Sequence, residues 1–141
     1  MIQGSVSCGS FKRELMLAIH DLANDQLRIA LYEASAELDV NTTAYLVPGE
    51  ITGTGYTAGG QILTGGQVLL DPVTNYAYAT FNDPIWEDSV ITARGALIYN
   101  QSKQQRAVAV IDFGVDRVSN HGPFRVAFPP VGPATALIRI Y

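Results

Sequence analysis

Charge is what this sequence has least of. Asp, Glu, Lys and Arg make up 16% of its 141 residues, against about 25% in an ordinary soluble domain. Cysteine is almost missing too. Cys8 stands alone, which excludes an intrachain disulfide and a cysteine-rich zinc site and suits assembly in a reducing cytoplasm. No run of basic residues exceeds the pair Lys12-Arg13, and the formal net charge is −4. A surface that tracks phosphates is therefore not expected, and neither is a nucleic-acid partner. No apolar stretch approaches the ~18 residues that would suggest a membrane span. The opening residues Met1 to Cys8 have neither the basic nor the apolar region of a secretory signal.

What is present is an apolar share of 48% and a mean hydropathy of +0.13 in a chain of 15.2 kDa. A domain of this size has much surface for its volume. A shortage of ionic side chains therefore leaves neutral or apolar groups facing outward. Interface cores are depleted in charge, so the composition points to a protein that contacts other proteins.

Residues 1–9 are small and polar and read as a flexible N-terminal arm, with residues 10–141 forming one domain. Ser10 reads as an N-cap, followed by Phe11, Leu15, Ala18, Ile19 and Leu22 at spacings of three and four. That pattern predicts a helix over about 10–23, with Lys12, Arg13 and Glu14 on its polar side. From Leu27 the period changes to two: Leu27, Ile29 and Leu31 alternate with Arg28, Ala30 and Tyr32. Residues 34–47 are ambiguous, with a short helical turn at Thr42 to Tyr45. Further strands fit residues 61–64, 67–71, 76–81, 90–99, 107–113, 124–128 and 136–141, divided by Gly, Pro and Asn-Asp turns. About eight strands and one helix predict a mainly β protein, an antiparallel β-sandwich of jelly-roll-like form.

Catalysis needs converging reactive groups, and the sequence offers few. His20 falls on the helix near its polar edge, and His121 lies in a loop-like Asn-His-Gly-Pro segment. Neither has a second ligand at metal-binding spacing. Glu87 and Asp88 follow Trp86, but neighbours on an extended chain point to opposite faces and cannot simply flank one bond. Asp112 reads as an outward polar residue on a strand. The stretch Gly53-Thr54-Gly55-Tyr56-Thr57-Ala58-Gly59-Gly60 lacks the Lys-Ser/Thr of a phosphate loop. Its glycines suit turns, bulges or close approach to another backbone. No catalytic residue, metal or cofactor is expected. Tyr45, Tyr56, Trp86 and Tyr99 remain as interface candidates, because Tyr and Trp bury much area at little entropic cost.

Several segments, in order, resemble one family: Phe11-Lys12-Arg13-Glu14-Leu15, Ile29-Ala30-Leu31-Tyr32, the glycine stretch at 53–60, Ile91-Thr92-Ala93-Arg94-Gly95-Ala96-Leu97-Ile98-Tyr99-Asn100, Arg106 to Gly114, and Leu137-Ile138-Arg139-Ile140. Together they resemble the small head decoration, or cement, proteins of tailed bacteriophages. The resemblance implies a jelly-roll-like sandwich, without catalytic residues, on the outer surface of the virion's capsid after synthesis in the bacterial host cytoplasm. Its partners would be the phage major capsid protein, whose subunits it bridges, and further copies of itself in a dimer or trimer. The alternative is a tail or fibre component binding host glycans, with Trp86 and the tyrosines lining a sugar groove. A hydrolase using Glu87 and Asp88 is the least favoured reading.

Overall fold

The alternation from Leu27 onward forms a strand, β2 (Leu27–Tyr32), at the heart of the protein. The computed structural model describes every residue except Val131. Strand accounts for 43% of the chain and helix for 8%, so the protein is mainly β. Eight strands form two antiparallel sheets. The larger has the order β1-β7-β6-β2-β3, where β1 is Val6–Ser7, β3 is Gln61–Ile62, β6 is Ile85–Asn100 and β7 is Arg106–Arg125. The smaller has the order β4-β5-β8, formed by Gln67–Leu70, Ala77–Thr80 and Ile138–Ile140. The two sheets contribute to one buried apolar cluster, to which the small sheet supplies Ala79 and Ile138. The five-and-three division, with hairpins β4–β5 and β6–β7, does not establish the expected jelly-roll connectivity.

The strand number agrees with the sequence reading through two differences that cancel. Residues 124–128 do not make a separate strand, because β7 runs on to Arg125 and pairs Phe124 with Trp86. The missing strand is replaced within the segment read as a flexible arm. Val6 pairs with Val110 and Ser7 with Ala109. The Gln3 and Gly9 amides donate to the carbonyls of Leu38 and Val40, and Ile2 and Cys8 are buried. Val6 and Ser7 are therefore an edge strand of the large sheet, and hydrogen bonds at Gln3 and Gly9 fix the chain on either side of it.

The helix α1 (Gly9–Met16) is shorter than the predicted 10–23, and Cys8, not Ser10, is its N-cap. Ala18 adopts φ 59°, and the Ile19 and Ala18 amides donate to the carbonyls of Glu14 and Leu15. This is a Schellman C-cap, which stops the helix although the apolar spacing continues. Thr42 to Tyr45 is not helical either, since Ala44 forms an isolated bridge with Arg106. The strand β2 was expected to bury one face. Both are covered, so that of its residues only Arg28 is partly exposed.

The long hairpin β6–β7 is the frame of the large sheet. Its tip is a 3₁₀ turn, Gln101–Lys103, followed by Gln104 and Gln105, both at φ 59°. Midway, the register passes from Ala93↔Arg117 to Gly95↔Asp112. Arg94 thus faces the extra residues 113–116, a special bulge with four residues opposite one. The Asn-His-Gly-Pro segment read as a loop is a second irregularity within β7, with His121 at φ 53° between the pairs Val90↔Asn120 and Ser89↔Gly122.

Candidate functional site

The sequence-predicted aromatic residues come together, but inside the molecule. Tyr45 stacks on Tyr99 with ring centroids 4.8 Å apart. Tyr56 lies 6.0 Å from Trp86, which meets Phe124 edge-on. Trp86 is 6% and Tyr99 2% exposed, while Tyr45 and Tyr56 are half-buried. The organiser is Glu50, a residue that no motif or spacing in the sequence singles out. Its carboxylate accepts hydrogen bonds from the hydroxyls of Tyr45 (2.6 Å) and Tyr56 (2.8 Å) and from the Gly59 amide (2.9 Å). Burial and then the adjacent Glu50 charge push both phenols well above the ordinary tyrosine range. The Tyr99 hydroxyl donates to the Gly59 carbonyl. These contacts tie residues 45–60 onto β2 and β6 and fill the core.

The glycine stretch makes this collapse possible. Gly60 has φ 75°, and a Cβ there would lie 1.8 Å from the Ile29 carbonyl oxygen. At Gly55, with φ 84°, the corresponding distance to the Asp88 carbonyl oxygen is 2.4 Å. Backbone meets backbone at both positions, as expected of glycines that do not cradle phosphate.

A second polar cluster surrounds His20, which is buried and not at a surface edge as the helical pattern implied. Its Nδ1 accepts from the Asn100 side-chain amide at 2.9 Å, which assigns the ring proton to Nε2. Nε2–H donates to Glu14 at 3.0 Å, and Arg106 donates to the other Glu14 oxygen at 2.7 Å. Burial alone would raise the Glu14 pKa. The hydrogen bonds from His20 and Arg106 outweigh it and hold the carboxyl below its usual range. Asn100 also donates to Asp25, which pairs with Lys103 at 2.8 Å. Glu14, expected on the polar side of α1, is thus a buried anchor between the helix and the hairpin tip.

The remaining reactive candidates do not converge. Glu87 and Asp88 are both exposed on β6, and His121 is exposed on β7. Asp112 binds Arg94 at 3.3 Å and receives the Gly114 amide. Burial, with a smaller effect of Asp39, pushes the Cys8 thiol up to about 11, so it is protonated at neutral pH. Among the described residues no group of three His, Cys, Asp or Glu side chains is placed to hold a metal ion. No helix among them is long and apolar enough to cross a membrane.

The surface that stands out is the small sheet. Between Glu50 and Asp83 the chain carries one charged residue, Asp71, and between Arg125 and Arg139 it carries none. These two stretches supply β4, β5 and the start of β8, whose middle residue Arg139 is the one charged side chain of the small sheet. Register places Val68, Leu70, Ala77, Ala79, Ile138 and Ile140 on one face, since Val68 pairs with Ala79, Leu70 with Ala77, and these alanines with Ile138 and Ile140. All of that face except Leu70 lines a groove of about 340 Å³ opposite Leu15, His20 and Leu22. The outer end is open: Leu70 is 64% exposed and Ile140 61%, and Val73 beyond the strand is 88% exposed. The sequence reading missed these residues because it looked for aromatics. The usable signal was the long gap without ionic side chains, ending in a strand with consecutive apolar residues, Val68-Leu69-Leu70.

The chain matches no family model, no curated protein and no solved structure.

Proposed function

We propose that this chain is a non-enzymatic bacteriophage head decoration, or cement, protein. In this reading it binds the outside of the assembled capsid and bridges neighbouring major capsid protein subunits. The observation that carries the reading is the open apolar face of the small sheet, confined to a part of the molecule nearly free of charge. Single exposed apolar residues are ordinary, but a contiguous set on one sheet face marks a protein contact. The ordered sequence resemblance supplies the identity of the partner.

Binding to a repeated lattice multiplies a modest free energy per site, and a subunit that binds only the mature shell stabilises that state by mass action. The polar clusters at Glu50 and His20 hold the fold and supply no reactive centre in this reading. The glycan alternative has less support, because Trp86 and Tyr99 lie in the core, where they cannot stack on a sugar.

The test uses phage heads lacking this protein. Adding the purified chain should raise the temperature at which they release DNA. Lysine at both Val73 and Ile140 should weaken head binding at least tenfold while leaving the melting temperature of the free chain unchanged, since both side chains are mostly solvated. Heads that neither bind the chain nor gain heat resistance refute the proposal.

A further inference from the structure

We infer that the outer edge of β4 is a self-pairing surface, joining two copies of this chain about a two-fold axis at Leu69 into a continuous six-stranded sheet. The inference specifies the self-association part of the reading above, and it can fail alone because it is tested without capsids.

Four strands stand outermost in the two sheets, and they are built differently. The strands β1 and β3 have two residues each. The strand β8 has three, with Arg139 in the middle. Short length and charge are the usual protections against edge-to-edge pairing. The strand β4 has neither: its four residues, Gln67, Val68, Leu69 and Leu70, are uncharged, lack proline and are all exposed.

The backbone phase of β4 is set by its inner partner. The Asp71 amide donates to the Tyr76 carbonyl across the hairpin at 2.9 Å. Backbone groups alternate in direction along an antiparallel strand, so residues 67, 69 and 71 address β5 while Val68 and Leu70 turn their N–H and C=O groups outward. A two-fold axis perpendicular to the sheet keeps each residue on its own face and requires partners of equal parity. Centring on Leu69 satisfies both conditions. Val68 then faces Leu70 of the second copy and exchanges both N–H···O bonds with it, and the symmetric pair does the same.

The side chains fit this register as well. The apolar face carrying Val68 and Leu70 continues unbroken into the second copy. On the other face Leu69 meets Leu69 at the close, non-hydrogen-bonded position, where side-chain contact is greatest. Gln67 comes opposite Asp71, placing an amide donor against a carboxylate. Centring on Leu70 instead would set Val68 against Pro72, which has no N–H to give. An isologous contact of this kind closes after two copies. Its small area makes it a weak dimer, one that gains strength when many copies share a lattice.

Sedimentation equilibrium of the purified chain between about 10 μM and 1 mM covers the range in which such an association is populated. The wild type should pass from monomer towards dimer. Leu69→Lys and Leu69→Glu should each weaken dimerisation at least tenfold through like charges at the axis, and mixing them should restore a dimer. Val68→Pro removes an outward N–H that the monomer does not use, so it should weaken the dimer while leaving the circular dichroism spectrum intact. In the wild type, the Val68 and Leu70 amides should exchange with solvent more slowly as concentration rises. A wild type that stays monomeric, or forms trimers, overturns the inference. So do Leu69 variants that associate as tightly as the wild type, or Val68 and Leu70 amides indifferent to concentration.

Discussion

Glu14 shows how much a single carboxylate can hold in a protein so sparing with charge. It is nearly inaccessible and joins α1 to the hairpin tip through His20 and Arg106. Its pKa is lowered in the folded state. The stabilisation it provides is therefore complete above the unfolded-state value and is lost as the pH falls through the lower folded-state value. Glu14→Gln should cost about 1–3 kcal/mol at pH 7, the range for leaving a buried hydrogen-bonding partner unsatisfied. Urea denaturation of both proteins should show that difference shrinking below about pH 4, where the reference carboxyl begins to take up its proton. A difference that is the same at pH 3 and pH 7 would mean that the charge of Glu14 contributes nothing.

At the scale of elements, the connection from β2 to β3 depends on backbone contact that only glycine permits. Gly60→Ala would drive a methyl into the Ile29 carbonyl and also strain a positive φ. Gly114 has a similar φ of 81° with nothing within 4 Å, so Gly114→Ala isolates the conformational penalty. Gly114→Ala should lower stability by about 1–2 kcal/mol, and Gly60→Ala by about 3 kcal/mol or more, since a clash adds to the strain. Equal effects on the unfolding midpoint would rule out the steric account. The elements also differ in how legible they were in the sequence. The positions of β2, β4 and β5 could be read directly, from the two-residue period at Leu27 and Tyr76 and from the Gly65-Gly66 break before Gln67. The fates of Tyr45, Tyr56, Trp86 and Tyr99 could not, because their partners Glu50, Gly59 and Phe124 are brought to them only when the chain folds back on the sheet. Trp86, Glu87 and Asp88 fall outside the predicted strand 90–99, although β6 begins at Ile85 and the two carboxylates lie within it. A register shift between Trp86 and Ser89 in fact lets both stay exposed within β6. The helix was overestimated because a left-handed Ala18 leaves no mark in an apolar pattern, and Glu14 was misplaced because its partners, Arg106 and His20, lie far along the chain or beyond the cap.

At the scale of the whole molecule, the two sheets differ in how they are held. In the large sheet β2, residues 95–100 of β6 and residues 107–110 of β7 lie side by side, and almost all of their residues are buried. The small sheet has three short strands, with all of β4 exposed. Regions with little buried surface open at lower free energy than the rest. Native-state hydrogen exchange at low micromolar concentration should find β4, β5 and β8 opening as one unit before β2, β6 and β7. Uniform protection across both sheets would show that the protein opens only as a whole.

The pairing of Val6 with Val110 has a consequence for how the protein is made. A ribosome delivers the first strand of the large sheet long before the neighbour it must lie beside, and closing so long a loop is slow compared with forming the β6–β7 hairpin. The hairpin can assemble from nearby residues, whereas Ile2, Val6 and Phe11 stay without their final surroundings until most of the chain has been translated. The order of synthesis and the order of docking are thus opposed, and the N-terminal strand, though made first, is among the last to be seated.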